Sequence, residues 1–249
     1  WLPNSVNAMC VDQAALQMGA ISVPVHTTDN PASIAYIFDN ADISLLVLSS
    51  LSQWERLRAT DYAMSSLQTV VVADGLTAPQ VSLGQPRVLA LADWLQQGSA
   101  MASQPAPALP EPGDVAAIVY TSGTTGKPKG VMLTHANVMA DVSDFAERVH
   151  PRQDDRFLSF LPLSHTFERT VGYYLAIASG ACTSYARSAA LLMQDMLTEK
   201  PTILVCVPRI YERVHARMLE KILAGPQPER EAYYAAIAWG WANFCARQD

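Results

Sequence analysis

The sequence is short of charge, of long apolar runs and of cysteine, and each shortage restricts what the protein can bind. Charged residues make up 16% of the 249 residues and the formal net charge is −6, so no basic field is available to hold a nucleic acid backbone. No apolar run reaches the roughly 20 residues needed to span a bilayer. The start of the chain also lacks the charged and apolar regions of a signal peptide. We therefore expect a cytoplasmic protein without a nucleic acid partner.

The cysteines and isolated histidines show no metal-ligand spacing. The cysteines lie far apart and form no CxxC pair: Cys10, Cys182, Cys206 and Cys245. This usage is typical of reduced thiols. His26, His150 and His215 likewise lack the spacing of zinc ligands. No zinc or iron site is predicted.

Hydrophobic residues, in contrast, make up 50% of the chain, which is enough to bury a sizeable core. Strand-like apolar runs, ISLLVLSS (43–50) and LQTVVVAD (67–74), alternate with segments of helical period such as residues 31–40 and 170–179. Residues 202–207 are predicted as a further buried strand. This alternation predicts an α/β fold in which mostly parallel sheets are covered by helices.

A proline-rich stretch divides the chain. Residues 99–113 contain MASQPAPALPEPG, which can continue neither a helix nor a central strand. We interpret this stretch as a linker between a partial α/β subdomain at residues 1–98 and a second one at residues 114–249. An ordered loop within one domain is an equal alternative.

The segment YTSGTTGKPKGVMLTH (120–135) has the composition of a phosphate-binding loop. Its glycines, at 123, 126 and 130, permit positive φ and close backbone approach, so that successive N–H groups can point at one anion. Short hydroxyl donors and positive charge accompany them. The candidate phosphate ligands are Thr121, Ser122, Gly123, Thr124, Thr125, Gly126, Lys127 and Lys129. This combination suits a triphosphate.

The spacing disfavours the Walker A loop of kinases and other NTPases. That loop reads GxxxxGK[ST] and continues into a helix. Here Gly126 and Lys127 are followed by Pro128, and the preceding glycine is only three residues back. The PKGV continuation predicts extended chain instead of a helix start.

The sixteen residues 120–135 resemble the phosphate-loop signature of the adenylate-forming, AMP-binding family, which includes acyl-CoA synthetases, luciferases and peptide-synthetase adenylation domains. The resemblance implies a two-step reaction that uses ATP, Mg²⁺ and coenzyme A. A carboxylate attacks the α-phosphate of ATP to give an acyl-adenylate and pyrophosphate, and a thiol then takes the acyl group. The loop would hold the β and γ phosphates.

Two further segments resemble long-chain fatty acid–CoA ligases in particular. RFLSFLPLSHTFERTVGYY (156–174) matches a pattern LPLxHxFER, which implies that His165 lies beside the carboxylate and the α-phosphate. Arg169 in the same segment is interpreted as structural. EKPTILVCVPRIYERV (199–214) matches xKPT followed by VPRxxE, and it makes Arg209 and Tyr211 candidates for the acyl or nucleotide pocket. A hydrogen-bonded structural His165 and a helix-bracing Arg209 are the alternatives.

The family pattern is not complete in this sequence. Its YGxTE-like segment, its ribose-binding aspartate and its C-terminal lysine domain are not found, so we expect the 249-residue chain alone to bind ATP weakly and not to complete adenylation. Another carboxylic acid, a carrier-protein thiol, or a noncatalytic nucleotide-binding module remain alternatives. The aromatic run EAYYAAIAWGWANF (231–244) is predicted to pack in a core. A peripheral membrane contact is an alternative, because the implied substrate is hydrophobic.

Overall fold

The structure is a computed structural model, and it describes residues 1–76, 79, 84–100, 107–122 and 126–247. The chain forms two compact units, Trp1–Val205 and Cys206–Asp249. Every strand in the described residues belongs to the first unit. Part of the predicted linker, residues 101–106, lies outside the described residues, so the division at residues 99–113 stays a prediction.

Helices and strands alternate along most of the first unit. The helices are α1 (Val6–Gln17), α2 (Pro31–Asn40), α3 (Leu51–Arg58), α4 (Leu91–Ala100), α5 (His135–Val149), α6 (Leu175–Ala178), α7 (Leu192–Glu199), α8 (Pro208–Leu223) and α9 (Gln227–Cys245), with a π-helix at Glu168–Tyr174. The strands are β1 (Leu45–Ser50), β2 (Thr69–Asp74), β3 (Arg87–Ala90), β4 (Val115–Thr121), β5 (Lys129–Thr134), β6 (Arg156–Ser159) and β7 (Cys182–Tyr185).

A parallel sheet of order β1-β2-β3 forms the first core, as the apolar runs predicted. Leu48 of β1 and Val70 of β2 are fully buried in one cluster with Ile34 of α2. Helix α2 begins where predicted, because the Asn30 side chain accepts a hydrogen bond from the Ala32 amide at 2.9 Å. The predicted α/β class is confirmed.

Strand β3 and helix α4 were not predicted. The strand is only four residues long and passes into α4 without a turn residue. It exists because Val88 and Leu89 pair with β2 and are buried there. A pairing partner of this kind leaves little local signal in the sequence.

The remaining strands form two small pairs. Strands β4 and β5 form an antiparallel hairpin, and Ser22 adds a single parallel bridge to Ala117 on β4. Strand β6 pairs in parallel with β7. The predicted strand at residues 202–207 is wrong, because within it only Ile203 bridges to β6. Strand β6 continues two residues beyond Phe157, to Ser159, but the bridge at Ile203 is not extended along it.

The predicted helix at residues 170–179 is also corrected in part. It begins as the π-helix Glu168–Tyr174 and becomes α-helical only over Leu175–Ala178. Glycine at 172 leaves the room that the Glu168 carboxyl group occupies inside the widened turns.

The second unit consists of α8 and α9 in the described residues. None of the residues of α9 is buried, and Trp239 and Trp241 are 73% and 66% exposed. The prediction that this aromatic run packs in a core is therefore wrong for this chain. Over the residues that the structure describes, no helix combines the length and the apolar character needed to cross a bilayer.

Candidate active site

The candidate phosphate loop closes the β4–β5 hairpin. Thr121, the last residue of β4, lies directly opposite Lys129, the first residue of β5. Both are exposed, as are Ser122, Gly126 and Lys127 between them. The chain after Lys127 runs into a strand and not into a helix, so the extended continuation predicted from PKGV is confirmed. Gly123, Thr124 and Thr125 lie outside the described residues.

The glycines at the two ends of the described loop serve different purposes. Gly126 adopts a φ of +94°, and a Cβ built there would meet nothing within 4 Å. Gly130 has no positive φ; a Cβ there would lie 2.7 Å from Ile118 Cγ2 and 3.0 Å from the Tyr120 ring. Gly126 therefore supplies the left-handed turn, while Gly130 allows its cross-strand neighbours to pack against the backbone.

Helix α2 contacts this hairpin from the other half of the unit. The Lys127 Nζ lies 5.2 Å from the centre of the Tyr36 ring, within the range of a cation–π contact. The Tyr120 hydroxyl donates a hydrogen bond to Asn40 Oδ1 at 2.7 Å. Burial, followed by the nearby Tyr36, raises the pKa of Tyr120. Neither Tyr36 nor Asn40 was predicted as a residue of the site, although their spacing of four residues puts them on one face of α2.

His165 lies in the turn that follows β6, and its ring is exposed. Its backbone is held on both sides: the His165 amide donates to the Pro162 carbonyl at 2.9 Å, and its carbonyl accepts from the Arg169 amide at 3.0 Å. The centre of the His26 ring lies 6.5 Å away, with the two ring planes at 63°. The structure therefore brings together two imidazoles that are 139 positions apart in the sequence (165 minus 26).

The His26 imidazole has a defined proton position in its neutral form. Its Nδ1 lies 3.1 Å from the Thr28 backbone nitrogen and accepts that N–H. The ring proton is then on Nε2, because a neutral imidazole carries only one N–H. The sequence offered His26 only as a possible metal ligand, and its position beside His165 was not predicted.

The segment that leads to His26 and the strand that leads to the phosphate loop are paired and run in the same direction. The Ser22 amide donates to the Ala116 carbonyl at 3.0 Å, and the Ile118 amide donates back to Ser22 at 2.9 Å. Because this pairing is parallel, the chain after Ser22 and the chain after Ala117 run in the same direction. In open α/β sheets, ligands bind at the carboxyl ends of the strands. This edge is the candidate active site.

A buried ionic network lies beneath the edge. The Arg169 guanidinium forms an ion pair with Asp12 of α1, and Arg169 also donates to Ser22 Oγ at 3.1 Å. Tyr173 and Tyr174 donate their hydroxyl hydrogens to Asp12 Oδ2 at 3.1 and 3.2 Å. Burial raises the pKa of both tyrosines, so they remain hydroxyl donors at neutral pH. Arg169 is thus structural, as predicted: it joins α1, the Ser22 segment and the π-helix.

The other predicted pocket residues lie in the second unit. Arg209 and Tyr211 are in the first turn of α8, where Pro208 occupies the first helical position. Both side chains are exposed, Tyr211 by 60%. Their part in an acyl or nucleotide pocket stays a prediction.

The exposed donors fit a polyphosphate, whereas the metal is a separate question. Hydroxyl groups and lysines at the loop end of a hairpin, next to the unobstructed Gly126, suit an extended anion. Within the described residues, no group of three or more His, Cys, Asp or Glu side chains could hold a metal ion. We therefore assign no magnesium ligand in this part of the chain.

Comparison with known proteins decides the family. The protein-family model of the AMP-binding enzyme matches residues 1–237. The chain belongs to the AMP-binding enzyme family. Among curated relatives of this AMP-binding protein, the peroxisomal long chain acyl-CoA synthetase 6 of Arabidopsis thaliana is 33% identical over 229 residues, which is 86% of this chain and 30% of that protein. The human long-chain-fatty-acid–CoA ligase 6 is 33% identical over 223 residues, 85% of this chain and 31% of that protein.

Solved structures agree with this fold. The AMP-binding chain matches the inhibitor-bound N-terminal domain of FACL13 from Mycobacterium tuberculosis with a TM-score of 0.66 at 25% identity, over 84% of this chain and 49% of that one. It matches the ATP-bound MatB from Rhodopseudomonas palustris with a TM-score of 0.66 at 24% identity, over 85% and 39%. The second likeness shows the fold alone. The chain spans about 30% of the length of the curated relatives named above.

Proposed function

We propose that the protein is an ATP-dependent, AMP-forming long-chain fatty acid–CoA ligase, acting through the edge built from the β4–β5 hairpin and the His165 turn. The observation that carries the proposal is the hairpin end, where Thr121 and Lys129 face each other across a glycine-bearing loop. Its support at the level of the substrate is the 33% identity to two long-chain acyl-CoA synthetases. The proposal covers the intact gene product.

In this reaction a carboxylate oxygen forms a bond to the α-phosphorus of ATP, and the bond to the bridging oxygen of pyrophosphate breaks. Lys127 and Lys129 would balance the charge that grows on the departing pyrophosphate, together with loop N–H groups and the Thr121 and Ser122 hydroxyls. Because Thr121 and Lys129 are paired at the end of the hairpin, these two donors need little rearrangement as the charge develops. The coenzyme A thiol then takes the acyl group and releases AMP.

His165 is proposed to orient the fatty acid carboxylate. Its backbone is fixed by hydrogen bonds on both sides, whereas its ring is exposed at the edge. An imidazole held in this way can donate a hydrogen bond to the carboxylate or to the adenylate. Magnesium, when bound, would neutralise phosphate charge, and no residue of the described part of the chain is assigned as its ligand.

The location of the protein follows from the same proposal. A cytoplasmic enzyme that meets a long-chain acid would make a peripheral contact with the membrane that holds the acid. The exposed aromatics of α9 are compatible with such a contact, since tryptophan favours the membrane interface. Arg209 and Tyr211 remain proposed lining residues of the acyl or nucleotide pocket.

The test is ATP–pyrophosphate exchange by the purified intact gene product. We expect exchange that depends on a long-chain fatty acid and falls about 100-fold or more in Lys127→Ala, because one preorganised charge contact is lost. Lys221→Ala, an exposed lysine on α8, is the matched control and should exchange normally. Exchange with only short or aromatic acids would contradict the long-chain substrate class. Nucleotide binding without any exchange would contradict catalysis and indicate a nucleotide-binding module.

The acceptor is tested separately. Product formation with coenzyme A, compared with a phosphopantetheine carrier protein, separates the two thiol acceptors. We expect acyl-CoA, and acyl transfer to the carrier protein alone would contradict the proposal.

A further inference from the structure

The turn that carries His165 is held from a distant part of the chain. Asn4, which precedes α1, donates from Nδ2 to Ser159 Oγ at 2.9 Å and to the Leu161 carbonyl at 2.7 Å. Its Oδ1 accepts from the Leu163 amide at 3.3 Å. One side chain therefore makes three hydrogen bonds to the stretch 159–163, which leads from the end of β6 towards His165.

The same serine is held from below by Glu168. The Ser159 hydroxyl donates to Glu168 Oε1 at 2.6 Å, and the Glu168 side chain is fully buried. Ser159 Oγ thus accepts from Asn4 and donates to Glu168, which fixes the direction of both bonds. The Glu168 carboxyl group packs directly against Gly172, where a Cβ would lie 2.6 Å from its carboxyl carbon.

The charge state of Glu168 suits this arrangement. Burial raises the pKa of Glu168 to about 7, although the hydrogen bond from Ser159 opposes the shift. The nearby Arg169 is engaged by Asp12, and Tyr185 on β7, which acts electrostatically with Glu168, is not cationic. The second carboxyl oxygen, Oε2, is buried without a protein partner in the described residues. A neutral Glu168 is therefore the form that the packing favours.

We propose that Asn4 and Glu168 are positioning residues for His165: both bind Ser159, and together they fix the turn that presents the imidazole. The inference rests on the proposed function, because it assigns them a role in adenylation through His165. Neither residue touches the substrate. Their effect is to hold the exposed ring at one distance from the phosphate loop, where a displacement near 1 Å can cost about 100-fold in rate.

The decisive experiment is a double-mutant cycle in the intact gene product, measured by fatty-acid-dependent ATP–pyrophosphate exchange. Asn4→Leu keeps the shape of the side chain and removes the three hydrogen bonds. We expect its kcat to fall about 10- to 100-fold with the KM for ATP changed less than about threefold. In the His165→Ala background, the same substitution should change kcat less than about threefold. Asn7→Leu, at an exposed asparagine in the first turn of α1, is the matched control.

A conservative exchange at Glu168 tests the second half of the proposal. Glu168→Gln keeps an acceptor for Ser159 without a charge, so it should restore most of the kcat that Glu168→Ala loses. Equal losses in Gln and Ala would contradict the role of the Ser159 hydrogen bond. An Asn4→Leu effect that is undiminished without His165 would overturn the positioning role and leave the proposed function standing.

Hydrogen exchange supplies a readout that does not depend on activity. The Leu163 amide is bonded to Asn4 and the His165 amide to Pro162, so Asn4→Leu should speed exchange in the peptide covering residues 160–167 and not in β1. Unchanged exchange in that peptide would overturn the inference even if the protein has no ligase activity. If instead His165→Ala and Lys127→Ala leave pyrophosphate exchange intact, the proposed function fails. Hydrogen exchange in the peptide covering residues 160–167 then still tests whether Asn4 fixes the turn.

Discussion

Replacing Gly172 by alanine should destabilise the protein by an amount that the π-helix geometry defines. A Cβ at this position would lie 2.6 Å from the Glu168 carboxyl carbon and 2.7 Å from each of its oxygens. Glu168 is fully buried and cannot swing into solvent. Overpacking of this kind costs about 1–3 kcal/mol, although alanine in an ordinary helix would gain up to about 1 kcal/mol over glycine.

Thermal unfolding followed by circular dichroism measures this cost. In a chain of this size about 1 kcal/mol shifts Tm by roughly 2–4 °C, so Gly172→Ala should lower Tm by about 2–12 °C relative to a Gly→Ala change at a helix position that has room for the methyl group. Gly98→Ala is the control, because Gly98 is in α4 and a Cβ there meets nothing within 4 Å. The double variant with Glu168→Ala should lose less than the two single losses added together. A Tm for Gly172→Ala equal to that of Gly98→Ala would refute the packing argument.

Three other predictions follow from the buried and hairpin contacts. Arg169→Gln leaves Asp12 buried without its cation and should cost about 3–5 kcal/mol in urea unfolding, whereas Arg152→Gln, at an ion pair with both side chains 72% exposed, should cost less than about 1 kcal/mol. Equal costs would contradict it. Burial raises the pKa of Glu168 from 4.5 to about 7, so the folded state binds more protons than the unfolded state between these values and its stability falls as pH rises through them. The fall amounts to up to about 3 kcal/mol in the free energy of unfolding, and Glu168→Gln should remove it when urea unfolding is measured from pH 5 to 8. The same pH dependence in Glu168→Gln as in the original protein would contradict a buried neutral acid. Tyr120→Phe loses the hydrogen bond to α2 and should lower the free energy of urea unfolding by about 0.5–1.5 kcal/mol. An unchanged free energy would show that the contact contributes nothing.

The elements that sequence analysis found are those whose signal is local. Helix α2 was predicted with its cap because Asn30 and Pro31 stand immediately before its apolar face. The extended chain after Lys127 was predicted because proline and glycine disfavour a helix start there. The phosphate loop itself was found from composition over consecutive residues.

The elements that were missed or wrong depend on distant partners. Strand β3 forms because β2 offers an edge, whereas residues 202–207 make a single bridge to β6 and form no strand. The π-helix replaces an α-helix where the Glu168 carboxyl group packs against Gly172. Hydrophobic periodicity in the sequence gives no indication of this contact.

The candidate site shows the same limit. His165 was predicted from a motif, but His26 lies beside it on a segment that pairs with β4 through Ser22. Asn4 reaches Ser159 across 155 positions. Contacts of this separation are set by the packing of the whole unit, and they leave no spacing in the sequence that could be read in advance.

Oxygen transfer is the measurement that tests the central claim most directly. If the fatty acid carboxylate attacks the α-phosphate, the oxygen that forms the new bond stays on phosphorus when the thiol takes the acyl group. The intact gene product, given a long-chain acid labelled with ¹⁸O in its carboxyl group, ATP and coenzyme A, should therefore release AMP carrying one labelled oxygen. Label in inorganic phosphate with ADP as the nucleotide product would show attack on the γ-phosphate instead, and would contradict the assignment of this edge to adenylate formation.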